Sequence, residues 1–356
     1  MERNEGILDE LENIKKIDSR GMLTLVEKLP DMLEEGWTIA DSHNLPKPEK
    51  INNIVMSGMG GSAMGGDIVA YVLRDKVKFP MVVNRNYTCP NFVDGGTLFF
   101  ALSYSGNTEE TISSFKEAAA KKARIICISS GGELKELAAK FKVPFIEIPK
   151  GLPPRAALGY ILSAMLNVLY KLGIDSGLKQ EIGDSVKLLR QLSKKRGASA
   201  SSRENEVKQM ALKLSGKIPV VLATEGTTYP AGLRWKTQLN ENSKVTMLFS
   251  VFPELNHNDL VNYSFLKPGE HDFSFVILRD DAELERMKKR IEITKSLISG
   301  FVGGISEVWA QGRSRLEKLM SLIQFGDYLS VYLAVIAGID PTPVEIIEKL
   351  KKELAR

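Results

Sequence analysis

Apolar positions along the chain fall into two alternations of short strand-like runs and longer amphipathic stretches. The opening MERNEGILDELENIKKIDSR is charged with a helical pattern. From Asn53 the runs NIVMS, MVVN, TLFFALS, RIICISS and PFIEI appear, with TEETISSFKEAAAKKA and GELKELAAKF at helical spacing between them. Runs that are apolar throughout predict strands of a parallel sheet, because crossover helices cover both of its faces. PPRAALGYILSAMLNVLYKLG reads as helix, and SKKRGASASSRENE, small, polar and basic, predicts an exposed loop between domains rather than an anion site. A second alternation follows in KIPVVLAT, KVTMLFS, DFSFVIL and ISEVWA. The C-terminal stretch from Ser321 carries two helix patterns split at Gly338–Pro343, with Pro341 fitting an early turn of the second.

These patterns predict a helical arm over 1–36, an α/β domain over 37–175, a connecting segment over 176–204 and a second α/β domain over 205–356. A length of 356 residues allows two domains, and 43% hydrophobic with 26% charged residues is a globular composition. The net charge of +4 is spread rather than banked, so no dedicated nucleic-acid surface is expected. Cys89 and Cys127 form no C-x-x-C pair and no disulfide framework, which suits a reducing cytoplasm. The N-terminus lacks the regions of a signal peptide, and no apolar window is read as long enough to span a membrane. A soluble, cytoplasmic protein without membrane or nucleic-acid partners is therefore expected.

Two loops carry chemistry. NIVMSGMGGSAMGGDIVAYVL, Asn53 to Leu73, reads as strand, glycine loop and helix N-terminus, a place to hold phosphate. Gly58, Gly60 and Ala63 fit G-x-G-x-x-A, so a dinucleotide and a sugar phosphate are both open here. The next strand ends in Asn84 and Arg85 without the carboxylate that a ribose needs, which weakens NAD and leaves an NADP site using Arg85 open. The second loop, SYSGNTEET, places Ser103, Ser105 and Thr108 around Gly106 at a helix start, with no lysine or arginine. That suits a phosphate monoester held by hydrogen bonds. The alternative is an N-cap with a turn, for which Asn107 or Thr108 alone would suffice; three hydroxyls exceed that need.

In this order SGMGGSAMGGD, SYSGNTEET and PPRAALGY resemble the sugar isomerase (SIS) domain, and LRWKTQLNENSK and FPELNHND are similar to the bifunctional phosphoglucose/phosphomannose isomerases. The likeness covers the chain from about Asn53 onward. It implies two tandem SIS domains, each a mainly parallel, flavodoxin-like sheet flanked by helices. It implies an isomerase converting glucose 6-phosphate, and mannose 6-phosphate, into fructose 6-phosphate through a cis-enediol, with no metal and no cofactor. By resemblance Glu241 moves the proton between C1 and C2, Arg155 stabilises the enediolate, and Gly60, Gly61 and Ser62 line the sugar phosphate. His257 resembles a ring-opening residue presented by the neighbouring subunit, which implies a homodimer with shared sites. A C-terminal lysine assists; among Lys349, Lys351 and Lys352 the register favours Lys351. A position affecting tolerance of the C2 epimer falls at Val344 by its spacing from Lys351, rather than at Thr342.

The residue types fit that chemistry: proton transfer needs a base, a developing oxyanion needs a cation or donor, and ring opening needs an acid/base group. A helix end is an unfavourable place for an unpaired structural glutamate such as Glu241, and a helix start is equally unnatural for a structural arginine such as Arg155. Histidine's ordinary pKa suits proton relay, although a lone histidine like His257 has an ordinary structural alternative. His43, His257 and His271 show no paired ligand spacing. The competing function is a non-catalytic sugar-phosphate sensor, for which lost catalytic residues or an attached DNA-reading domain would be expected.

Overall fold

The computed structural model describes residues 6–46, 50–266 and 272–354; His271 lies outside them. Three helices, α1 (Leu11–Ile17), α2 (Met22–Glu27) and α3 (Leu29–Asp41), precede the first sheet. That sheet holds β1 (Asn53–Gly58), β2 (Met81–Asn84), β3 (Thr97–Leu102), β4 (Arg124–Ser129) and β5 (Phe145–Glu147), all parallel, in the order β2-β1-β3-β4-β5. Every residue of β1 and β3 is buried, as expected of predominantly apolar central strands. This is the flavodoxin-like order, whose reversal between β1 and β3 opens a crevice at the strands' carboxyl ends.

Helices α4 (Gly60–Leu73), α5 (Glu109–Ala120), α6 (Gly132–Phe141) and α7 (Leu158–Lys171) cover the first sheet. Val55, Phe99, Phe115, Cys127 and Leu134 share one core cluster, where burial pushes the Cys127 thiol up to about 12. Helices α3 and α7 cross closely because a Cβ on Gly36 would lie 2.9 Å from the Tyr160 backbone, and one on Gly159 2.7 Å from Met32 Cβ.

The second half starts with α8 (Leu178–Arg196) and α9 (Glu206–Leu214). Its sheet, β6 (Ile218–Thr224), β7 (Leu248–Phe252), β8 (Phe273–Arg279) and β9 (Ile305–Trp309), is parallel in the order β7-β6-β8-β9. The helices here are α10 (Tyr229–Gln238), α11 (Asp259–Tyr263), α12 (Glu285–Ile298), α13 (Arg315–Ile336) and α14 (Glu345–Leu354). Val220, Leu222, Phe252, Phe275, Ile277 and Ile291 form the core on one face.

Two compact units result: Lys28–Leu189 with Ser314–Glu317, and the remainder with residues up to Glu27. The expected arm is thus divided between Glu27 and Lys28. The expected exposed loop SKKRGASASSRENE is exposed at Lys194, Lys195, Ser199, Ser201, Arg203 and Glu204, but its first residues close α8 and parts of it are buried. Arg196 is buried, pairs with Glu206 and donates to the Ser321 carbonyl at 2.7 Å, while the Asn205 side chain caps α9. A buried guanidinium is tolerated because its donors find acceptors.

Three further expectations are corrected. The strand expected in KVTMLFS begins only at Leu248. Pro341 precedes the last helix, which starts at Glu345. Contrary to the reading of membrane spans, α13 is long and apolar enough to cross a membrane by length and composition; 94% of its most apolar window is buried within the fold, as in a core helix.

Candidate active site

At the carboxyl end of β3, the Ser103 hydroxyl lies 2.8 Å from the Thr108 hydroxyl and accepts from Gly106 N at 3.0 Å. Ser105 accepts from Asn107 N at 3.2 Å. Thr108 sits at the N-cap of α5 with extended backbone, yet no side chain caps that helix. The Asn107 amide oxygen accepts from Glu133 N at 2.9 Å and so serves α6 instead. The simple capping alternative therefore fails at both residues that could have satisfied it, and a helix N-terminus and hydroxyls converge where an anion is favoured. Gly106 has φ +73, and a Cβ there would lie 1.7 Å from the Gly131 carbonyl oxygen. The loops after β3 and β4 interlock at that point.

The glycine loop adjoins this cup across the crevice. Ser62, in the first turn of α4, accepts from Tyr104 N at 3.2 Å, which leaves its own O–H able to donate. Gly60 has φ +50. A Cβ on Gly61 would stand 3.0 Å from Arg155 Cα and 3.1 Å from the Pro154 carbonyl oxygen, so a side chain there would press the two backbones apart. Arg155 is 3% exposed and lies in a 3-10 turn, Pro154–Ala157, leading into α7.

Arg85, which left an NADP site open, donates to the Asp67 carboxylate of α4. Burial pushes the Asp67 carboxyl up despite that partner. Asn84, at the position where a ribose carboxylate would stand, donates to the Ser57 hydroxyl at 3.4 Å and the Thr88 carbonyl at 3.1 Å.

In the other unit, α10 continues into a π-helical turn, Leu239–Ser243, that holds Glu241. Such turns recur at functional sites. This platform is bolted to α13. Arg234 donates to both oxygens of Asp327 at 3.0 Å, Trp235 Nε1 donates to the Leu322 carbonyl at 2.7 Å, and Asn242 donates to the Ser330 hydroxyl at 2.9 Å. Trp235 also stacks on Phe325 with centroids 5.3 Å apart. Glu241 is the half-buried residue of this turn that lines a cleft of about 520 Å3, together with Lys244, Val344, Ile346 and Ile347. The Lys244 ammonium donates to the carbonyls of Glu241, Pro341 and Pro343 at 2.7, 3.1 and 2.9 Å, tying the π turn to the approach of α14.

His257 is exposed at the end of a 3-10 turn, Glu254–His257. Its neighbours are anchored: Leu255 is buried, Asn256 donates to Thr294 at 2.8 Å, and Asn258 caps α11. Lys351 is exposed on α14, one turn beyond Ile347 on the same face; Lys349 and Lys352 are also exposed. Among the described residues, no three His, Cys, Asp or Glu side chains are grouped to hold a metal.

Sequence reading missed three supporting groups. Arg234 and Asn242 lie in a motif noted for Glu241, but only the structure sets them against α13. Tyr104 lies between two of the named serines; an aromatic residue inside a loop of small polar ones was the available signal.

Comparison with known proteins agrees with this architecture. Residues 49–142 match the SIS domain family model, and residues 203–354 match the model of the bacterial phospho-glucose isomerase C-terminal SIS domain. A bifunctional phosphoglucose/phosphomannose isomerase from Caldicellulosiruptor bescii is 42% identical, covering 94% of this chain and 99% of that protein. One from Aquifex aeolicus is 37% identical over 85% of this chain and 90% of its own. The crystal structure of a glucose-6-phosphate isomerase-like protein from Thermus thermophilus shares the fold, with TM-score 0.63, 18% identity and coverage of 97% and 98%. This chain belongs to the bifunctional phosphoglucose/phosphomannose isomerase family and consists of two tandem SIS domains.

Proposed function

We infer that the protein is an aldose–ketose isomerase that interconverts glucose 6-phosphate, and mannose 6-phosphate, with fructose 6-phosphate through a cis-enediol(ate). The likeness to the Caldicellulosiruptor bescii enzyme over nearly the whole length of both chains carries this reading. The substrate phosphate rests on Ser103, Ser105, Thr108 and the N-terminus of α5, with Gly60, Gly61 and Ser62 against the sugar. The uncapped α5 and the absence of a lysine or arginine in this loop support that assignment.

Glu241 takes the proton from one of C1 and C2 and returns it to the other, while the Arg155 guanidinium offsets the charge of the enediolate oxygen. Lys351 assists ring opening, and Val344, in the same cleft wall as Glu241, faces the C2 epimer. The reaction uses no redox cofactor and no metal. A coupled assay from fructose 6-phosphate in excess chelator tests this; activity abolished by chelation would overturn the metal-free mechanism.

His257 opens the sugar ring, presented from the neighbouring subunit of a homodimer. Exposed apolar side chains near it, Val261 at 66%, Ile293 at 50% and Leu297 at 55% exposed, support an interface there. Light scattering should give twice the chain mass, and mixing inactive His257→Ala and Glu241→Gln chains should restore part of the activity. A monomer at full activity refutes the shared site. Two free, buried cysteines support a cytoplasmic location.

A further inference from the structure

Tyr104 is buried, and its polar atoms join three segments of one unit. Its N–H donates to Ser62 of the glycine loop at 3.2 Å. Its carbonyl accepts from the Ser130 hydroxyl at 2.7 Å and from Ser130 N at 3.0 Å. Its phenol crosses to the segment after β5, donating to the Pro149 carbonyl at 3.1 Å and accepting from Leu152 N at 2.7 Å. That segment passes through Gly151, at φ +91, into the Pro153–Pro154 pair and Arg155. Gly61 closes the circuit by its backbone approach to Arg155.

We propose that Tyr104 is the positioning residue that fixes Arg155 relative to the phosphate cup, through the paired hydrogen bonds of its phenol to Pro149 and Leu152. The inference rests on the isomerase reading above. The phenol serves both bonds only while protonated, and burial holds its pKa above the ordinary tyrosine range, so the strut persists at neutral pH. The strut touches no substrate; it acts on where the guanidinium stands. The phosphate-binding groups of that reading are the hydroxyls of Ser103, Ser105 and Thr108 and the N-terminus of α5, whereas the phenol's hydrogen bonds go to Pro149 and Leu152. The two functions of the loop are therefore separable.

Tyr104→Phe keeps the ring and removes both bonds. It should lower kcat for fructose 6-phosphate about 10- to 100-fold, since a displaced positioning group costs up to two decades. KM and competitive inhibition by inorganic phosphate should stay within about threefold, because no phosphate-binding group is altered. In an Arg155→Lys background the same substitution should cost less than about threefold in kcat, because the group it positions has already been changed. A kcat near wild type, an equal loss in both backgrounds, or a parallel loss of phosphate inhibition overturns the proposal. A wild-type chain inactive on both aldose phosphates would refute the isomerase reading itself, a separate result obtained before any variant is made.

Discussion

Ser103 Oγ and Thr108 Oγ1 lie 2.8 Å apart across the turn after β3, and the threonine at the N-cap position of α5 spends its hydroxyl on the serine rather than on the helix. The pair is a preformed cradle whose members polarise each other. Ser103→Ala and Thr108→Ala should each raise KM about 10- to 100-fold, the scale of a hydrogen bond to a charged group. The double variant should lose less than the product of the two, since each single change already disturbs the other hydroxyl. Independent, fully multiplicative losses would contradict the pairing.

Gly106→Ala tests the interlock of the loops after β3 and β4. Strain at φ +73 and overlap with the Gly131 carbonyl oxygen should together cost at least about 2 kcal/mol in urea unfolding, with a large rise in KM. A variant of wild-type stability and KM would show that the loops separate freely.

The buried Asp67 gives a pH prediction. Its folded pKa is raised above the ordinary 3.8, by burial first and against the pull of Arg85. A raised acid binds more protons folded than unfolded, so its contribution is present at low pH and is lost as pH rises through the folded pKa. The stability of Asp67→Asn should therefore improve relative to wild type as pH rises above the ordinary carboxylate range. Arg85→Met should be the more damaging change at pH 7, because it strands a buried carboxylate. Unfolding curves at several pH values decide it; a difference moving in favour of wild type reverses the sign.

Lys244 is the clamp between the π turn and the approach of α14. Lys244→Met should lower kcat roughly tenfold or more by loosening Glu241, and amide exchange over residues 345–354 should quicken. Unchanged kcat and unchanged exchange would leave the clamp without a role.

The first sheet was readable because β1 and β3, buried on both faces, are mostly apolar, with polar residues only at Asn53, Ser57 and Thr97. The second was misread at β7. Lys244 adopts a left-handed conformation at the end of the π turn, so KVTM lies ahead of the strand, and pairing with β6 begins at Leu248, opposite Val220. Nothing local marks a π turn, whose extra residue is fixed by Arg234, Trp235 and Asn242 against α13.

Glycines and hydroxyls announced the two loops, because their backbone demands are local. The same local reading misjudged SKKRGASASSRENE, where Arg196 and Asn205 are buried by partners distant in the chain or hidden in a turn. The service of Asn107 to α6, and of the Tyr104 phenol to the segment before Arg155, are likewise tertiary facts.

The most direct measurement is NMR of fructose 6-phosphate incubated with the purified chain in D2O and excess chelator, beside its Glu241→Gln variant. The account predicts that the wild-type chain forms both glucose 6-phosphate and mannose 6-phosphate with deuterium at C2, and that the variant binds the ketose phosphate but forms neither. Isomerisation at a near-normal rate by the variant, or binding without turnover by the wild type, would contradict it.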